Sequence, residues 1–220
     1  MANASTTGFG LRMAMRLGNT PSIEGQSKYK IKSGLGVGIF KGNPASLQDG
    51  SGDQGYLQDA SIDTTDDTGA GGIDYTTATE ALLVGVFNGA FYIDNTTSKP
   101  TFANSVAAST NFGTNPNTGS TDGFGFVNDD PLQEYTVKAD AAVTQAMIGT
   151  VGNMNDFAAA NAKNGQSTST LDVGTRAETK MFRIVRVAED PQNEDATAAG
   201  CNIIVVQNGA ANLFINGRDS

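Results

Sequence analysis

Taken as a pattern of apolar and polar positions, the chain is a series of short runs separated by glycine- and asparagine-rich breaks. Leu11-Arg12-Met13-Ala14-Met15-Arg16-Leu17 alternates, with Leu11, Met13, Met15 and Leu17 on one face and Arg12, Ala14 and Arg16 on the other. A period of two marks a half-buried strand. Tyr29-Lys30-Ile31-Lys32 carries the lysines of an edge strand, which discourage unwanted pairing. Leu35 to Phe40 enters the core and stops at Lys41-Gly42-Asn43-Pro44. Ala81 to Phe87 and Ala90 to Ile93 flank Asn88-Gly89, a dipeptide that predicts a hairpin turn. Gly123 to Val127 and Glu134 to Lys138 follow as strands, the second with Tyr135 and Val137 inward.

The strongest strand signal lies near the end. Met181 to Val187 and Asn202 to Gln207 are rich in β-branched residues, and Pro191 in the polar segment between them ends the first. Strict alternation puts Met181, Arg183, Val185 and Val187 on one face and Phe182, Ile184 and Arg186 on the other, one arginine to each. Ile203 to Val206 is unbroken and apolar, as in a strand covered on both faces. Asp140 predicts an N-cap for a short helix over Ala141 to Ile148, and Leu213-Phe214-Ile215 a last short strand. No repeat of 20–50 residues is present.

These elements predict an all-β, mainly antiparallel fold. It has a β-barrel or sandwich body over residues 29–220 and an extended N-terminal arm with its lead-in over 1–28. One short helix and long polar loops complete it, with insertions expected at 49–80 and 104–122. The first of these holds eight acids and no base. At 220 residues the chain can bury a sizeable core, although 38% hydrophobic and 27 glycines point to a modest one with long loops. The N-terminus lacks the charged and apolar regions of a secretory signal, and no run approaches the ~18–20 residues of a membrane span.

Charge is uneven. Residues 1–41 hold six bases and one acid; the rest hold eight bases and twenty-two acids. An acidic body speaks against nucleic acid, while the basic lead segment suits an acidic neighbour, a second copy included.

Candidate chemistry is thin. The chain contains no histidine, which removes Ser-His and Cys-His nucleophile systems and histidine zinc sites. Its single cysteine, Cys201, excludes a disulfide framework within the chain, fits a reducing cytosol, and reads as a small hydrophobe beside a strand. Gly34-Leu35-Gly36-Val37-Gly38 lacks the third glycine of a dinucleotide fingerprint, Ile39 standing there instead. The acid pairs Asp129/Asp130 and Glu189/Asp190 read as turn acids rather than a glycosidase couple. Asp49-Gly50-Ser51-Gly52-Asp53 and Gly71-Gly72-Ile73-Asp74 are only fragments of a calcium-ligand ladder. The expectation is no catalytic residues, no cofactor and no metal.

Three stretches carry a family likeness. Gly8 to Arg12 (Gly-Phe-Gly-Leu-Arg) leads into a Lys/Tyr strand and the step Gly42-Asn43-Pro44. In the middle, Asn128-Asp129-Asp130-Pro131 precedes Tyr135-Thr136-Val137-Lys138-Ala139-Asp140. Near the end, Arg183 to Arg186 leads to Asp190-Pro191-Gln192-Asn193-Glu194 and then Asn202 to Val206. Together they resemble the capsid decoration, or cement, proteins of tailed bacteriophages. The resemblance implies a non-enzymatic virion protein, made in the host bacterial cytoplasm, that sits on the capsid exterior and stabilises the shell. It also implies a barrel or sandwich body, self-association as a homotrimer, and an arm lying on the phage major capsid protein. Nucleic acid and membrane are not among the expected partners.

The docking set then expected is Leu11, Arg12, Met13, Met15, Arg16 and Leu17, the alternative being that they form the first strand of their own domain. A tail-, neck- or fibre-associated β-module of the virion is the alternative function. A carbohydrate-binding module would need an aromatic platform, and the chain has no tryptophan.

Overall fold

The computed structural model describes residues 2–22, 25–48, 53–60, 82–155, 160–174 and 180–216. The fold is mostly antiparallel β with one short helix, as the patterning predicts, and it is sandwich-like. The strands in order are β1 (Arg12–Arg16), β2 (Ser27–Ile31), β3 (Ile39–Phe40), β4 (Pro44–Leu47), β5 (Leu57–Asp59), β6 (Leu83–Ile93), β7 (Pro100–Ala103) and β8 (Ser105–Val106). After these come β9 (Gly123–Asn128), β10 (Gln133–Lys138), β11 (Val151–Gly152), β12 (Met154–Asn155), β13 (Thr170–Leu171), β14 (Phe182–Val187), β15 (Asn202–Gln207) and the helix α1 (Leu213–Asn216). One sheet runs β1-β10-β15-β14-β11; the other runs β2-β9-β6-β4-β5, with β7 also on β6.

Two hydrophobic clusters follow from this layering. Tyr135, Val137, Ile184, Ile203 and Val205 of the first sheet pack with Leu83 and Val86 of β6 in one cluster. The opposite face of the second sheet supplies Ile31, Ala45, Val84, Phe87, Ala90 and Val127 to the other, where Ile39 and Val106 of the β3–β8 pair join it. All six residues of β15 are buried, in agreement with the apolar run.

Departures from simple alternation come from bulges. Asn88-Gly89 makes no turn: β6 runs straight through it, and Phe87 and Gly89 face consecutive β9 residues, Val127 and Phe126, so Asn88 is an extra residue. Gly89 sits at φ 145°, a conformation that glycine adopts without strain. In β14 the register shifts between Ile184 and Arg186. Arg183 then pairs with Val206 and Arg186 with Ile204, which places both arginines on one face rather than one on each.

Two element types are corrected. Over 141–148 only Gln145–Met147 forms a single 3-10 turn, because Asp140, the expected N-cap, commits its carboxylate to Val173 N–H and Asn155 Nδ2 instead. Val143 N–H goes to the Ala196 carbonyl and Gly149 N–H to Ile184. The one α-helix among the described residues lies where a last strand was expected: Asn212 Oδ1 accepts from Phe214 N–H (2.8 Å) and Ile215 N–H (3.1 Å), capping the turn.

The stretches expected as loop insertions are partly built in. Within 49–80 only 53–60 is described, and it supplies the wholly buried strand β5. The two calcium-like fragments lie, except for Asp53, outside the described residues. In 104–122, β8 pairs with β3 and Phe112 stacks on Tyr92 at 4.6 Å.

Candidate interaction edge

The N-terminal segment lies against the body instead of projecting from it. Asn3 Nδ2 donates to the carbonyls of Asp195 (3.0 Å) and Ala199 (3.0 Å), and Ala4 N–H to Gln192. Further on, Gly10 N–H bonds the Ser169 carbonyl and Leu11 N–H the Gly42 carbonyl. The chain then enters β1, which pairs antiparallel with β10 and is the outermost strand of its sheet among the described residues. Of the two readings of residues 11–17, the first strand of its own domain is the one observed.

The six expected docking residues do not behave as a set. Leu11 is buried in the first core, and Met13, opposite Tyr135, packs against it. Met13 and Arg16 face Tyr135 and Gln133, so Ala14 and Met15 together oppose only Glu134. This bulge breaks the period of two. Met15 (48% exposed) and Leu17 (44%) are turned to the surface, near Leu132 (46%), whose carbonyl accepts from Leu17 N–H. A tight turn with Gly18 at φ 89° and Asn19 at φ 58° sends the chain back, and Arg16 N–H bonds the Thr20 carbonyl.

Charged groups frame this apolar tip. Arg16 Nε bonds Asp130 Oδ2 at 2.5 Å, and Asp130 Oδ1 also accepts from Leu132 N–H, so one carboxylate joins the edge to the 128–132 turn. Arg12 stacks over the Phe9 ring, 4.0 Å from its centroid. On the same sheet face Arg186 grips the fully buried Glu134 with two bonds, Nη1 to Oε1 at 2.8 Å and Nη2 to Oε2 at 2.7 Å. That bond holds the guanidinium's proton more firmly than usual.

Sequence reasoning missed Leu132, Phe9 and Glu134. Asp130 was visible only as a turn acid, in the same Asn-Asp-Asp-Pro run that precedes Leu132.

The other chemical candidates are occupied structurally. Asp129 accepts from Tyr29 OH at 2.7 Å; burial, and then this bond, raises the Tyr29 phenol. Asp190 accepts from Gln192 N–H and from Asn202 Nδ2. Cys201 is buried, and its thiol is pushed up by that burial. Residues 34–38 form turns and bends rather than a phosphate cradle, and a Cβ on Gly38 would lie 3.1 Å from Ala108 N and the Val106 carbonyl. No group of His, Cys, Asp and Glu fit to hold a metal occurs among the described residues. No family model matches the chain, and neither a curated protein nor a solved structure matches it significantly.

Proposed function

We propose that this chain is a structural virion protein that binds the outside of a phage capsid as a decoration protein and stabilises the shell. The observation that carries the reading is the β1 edge: an outermost strand with Met15 and Leu17 exposed beside Leu132, framed by Arg12 and Arg16. An apolar centre with a polar rim is how protein interfaces are built, and unpaired strand edges recruit further strands. The three stretches that resemble cement proteins support the same reading, as does a sequence without histidine. In this proposal the partner is the major capsid protein. A second copy of the chain, as a homotrimer, is the other partner, and the edge rather than a free arm makes the contact.

Shell binding adds stability because the ligand favours the assembled state over the dissociated one. Quantitative mass spectrometry of purified virions tests the role. A copy number near parity with the shell subunit is expected, and particles lacking the chain should lose integrity at a lower temperature. A few copies per particle would assign the protein to tail or neck, and absence from particles would overturn the proposal.

A further inference from the structure

Lys138 and Asn202 stand directly opposite each other on β10 and β15. Both are buried, 3% and 7% exposed. Lys138 Nζ donates to Asn202 Oδ1 at 3.1 Å and to the Gly200 carbonyl at 3.2 Å. Asn202 Nδ2 in turn donates to Asp190 Oδ2 at 2.5 Å. An amine, a carboxamide and a carboxyl group are therefore linked in series. Phe9 closes the site, its ring centroid 5.6 Å from Nζ. Among the described residues Lys138 makes no ion pair, so its ammonium form is buried at a cost.

We propose that this triad forms an intramolecular amide bond, with Lys138 Nζ acylated by the Asn202 carboxamide, Asp190 relaying the proton, and ammonia leaving. The environment suits each step. Burial makes the Lys138 ammonium easier to deprotonate than a free lysine, although the Asp190 charge pulls the other way. Transfer of that proton to the half-buried Asp190 removes the charge from the buried amine, where a site shielded from water penalises it. The Nζ lone pair then adds to Cγ of Asn202, and the carbonyl π pair moves onto Oδ1. As the carbonyl re-forms, the Cγ–Nδ2 bond breaks. Asp190 gives its proton to Nδ2 and receives the one left on Nζ. Overall, lysine ammonium and carboxamide become a secondary amide and ammonium ion, with no oxidant, metal or nucleotide consumed.

Amide nitrogen is a poor leaving group in water, so the reaction depends on placement. Well-oriented neighbouring groups react as if at concentrations of about 10⁵–10⁸ M. The placement is fixed by backbone bonds around the triad: Ala139 N–H to the Cys201 carbonyl, Gly200 N–H to Ala139, and Asn202 N–H to Asn193. Asn193 Nδ2 bonds both the Gly200 carbonyl and the Ser5 carbonyl, so the N-terminal segment is tied to the same loop. The product would tie two central strands of the first sheet, whatever surface the protein binds.

The test is the intact mass of the purified full-length chain under denaturing conditions. A mass one ammonia below that of the sequence is expected, with trypsin failing to cut after Lys138 and a branched peptide joining the segments that hold Lys138 and Asn202. Asp190→Asn and Lys138→Arg should each restore the full sequence mass. A wild-type chain that keeps its full mass after prolonged incubation across neutral and alkaline pH overturns the proposal, and it does so whether or not the variants fold. Loss of ammonia with normal cleavage after Lys138 also overturns it, because that pattern belongs to a backbone succinimide.

Discussion

The two sheets each begin with a basic edge strand, and the two edges are finished differently. On β2 and just past its end every lysine is engaged: Lys28 lies over the Phe124 ring at 3.8 Å, Lys30 reaches Asp122 at 3.3 Å, and Lys32, the next residue after the strand, bonds Asp53. No large apolar side chain is exposed on that strand. On β1 the cations sit to either side while Met15, and Leu17 just past the strand, face solvent. An edge covered by solvated lysines resists pairing, whereas an apolar edge invites it. Basic composition alone therefore does not tell a guarded edge from an open one; the bulge that turns Met15 outward does.

The largest expected effect tests how firmly the β1 side is anchored. Arg186→Met removes the only ion-pair partner that Glu134 has among the described residues, leaving a carboxylate buried without compensation. Breaking such a pair costs about 3 kcal/mol, at the lower end of the range because Arg186 is itself partly exposed. Lys30→Ala on the opposite edge should change stability by no more than about 0.5 kcal/mol, since the Lys30–Asp122 pair is open to water. Urea unfolding of both variants measures the contrast, and equal costs would remove it.

Binding should separate the edges in the same direction. Replacing Met15 and Leu17 together by Asp is expected to lower retention on purified particles by about tenfold or more, an interface loss on the order of 1.4 kcal/mol. The urea midpoint should hardly move, because both side chains are exposed. Lys28→Glu with Lys30→Glu should leave retention unchanged. The reverse pattern would mean that the lysine edge is the docking surface.

Much of the architecture was legible in the sequence because it is local. The β14–β15 pair, the lysine edge of β2, and the inward Tyr135 and Val137 all follow from period-two patterning and β-branched content. What was not legible depends on partners remote in sequence. Asn88 becomes a bulge because β9 and β4 pair along β6 on both sides and hold the strand straight where the dipeptide alone would turn. The faces of Arg186 and Met15 are set by one extra residue opposite β15 or β10, and a one-residue slip reverses a face. The Lys138–Asn202 contact joins the end of one predicted strand to the start of another; only the register of β10 on β15 brings them together.

The smallest effect concerns the lead-in to β1. Asp195 bonds the Thr197 hydroxyl at 2.6 Å and its N–H at 3.0 Å, and these donors are among the groups, the hydroxyl first, that hold its carboxyl down to about 2 from the ordinary 3.8. A carboxylate held low when folded stabilises the fold above its unfolded value, and that contribution disappears as pH falls through the folded one. The loss is therefore expected between about pH 4 and pH 2. Asp195 N–H also bonds Asn3 Oδ1, so the acid-sensitive loop is the one that seats the N-terminal segment ahead of β1. In Thr197→Val the hydroxyl is gone, the folded value climbs back toward 3.8, and the difference between the states that acid exploits shrinks. Urea midpoints measured from pH 5 to pH 2 should accordingly fall less steeply for the variant than for the parent chain. Parallel curves would place the acid response elsewhere and detach the β1 lead-in from it.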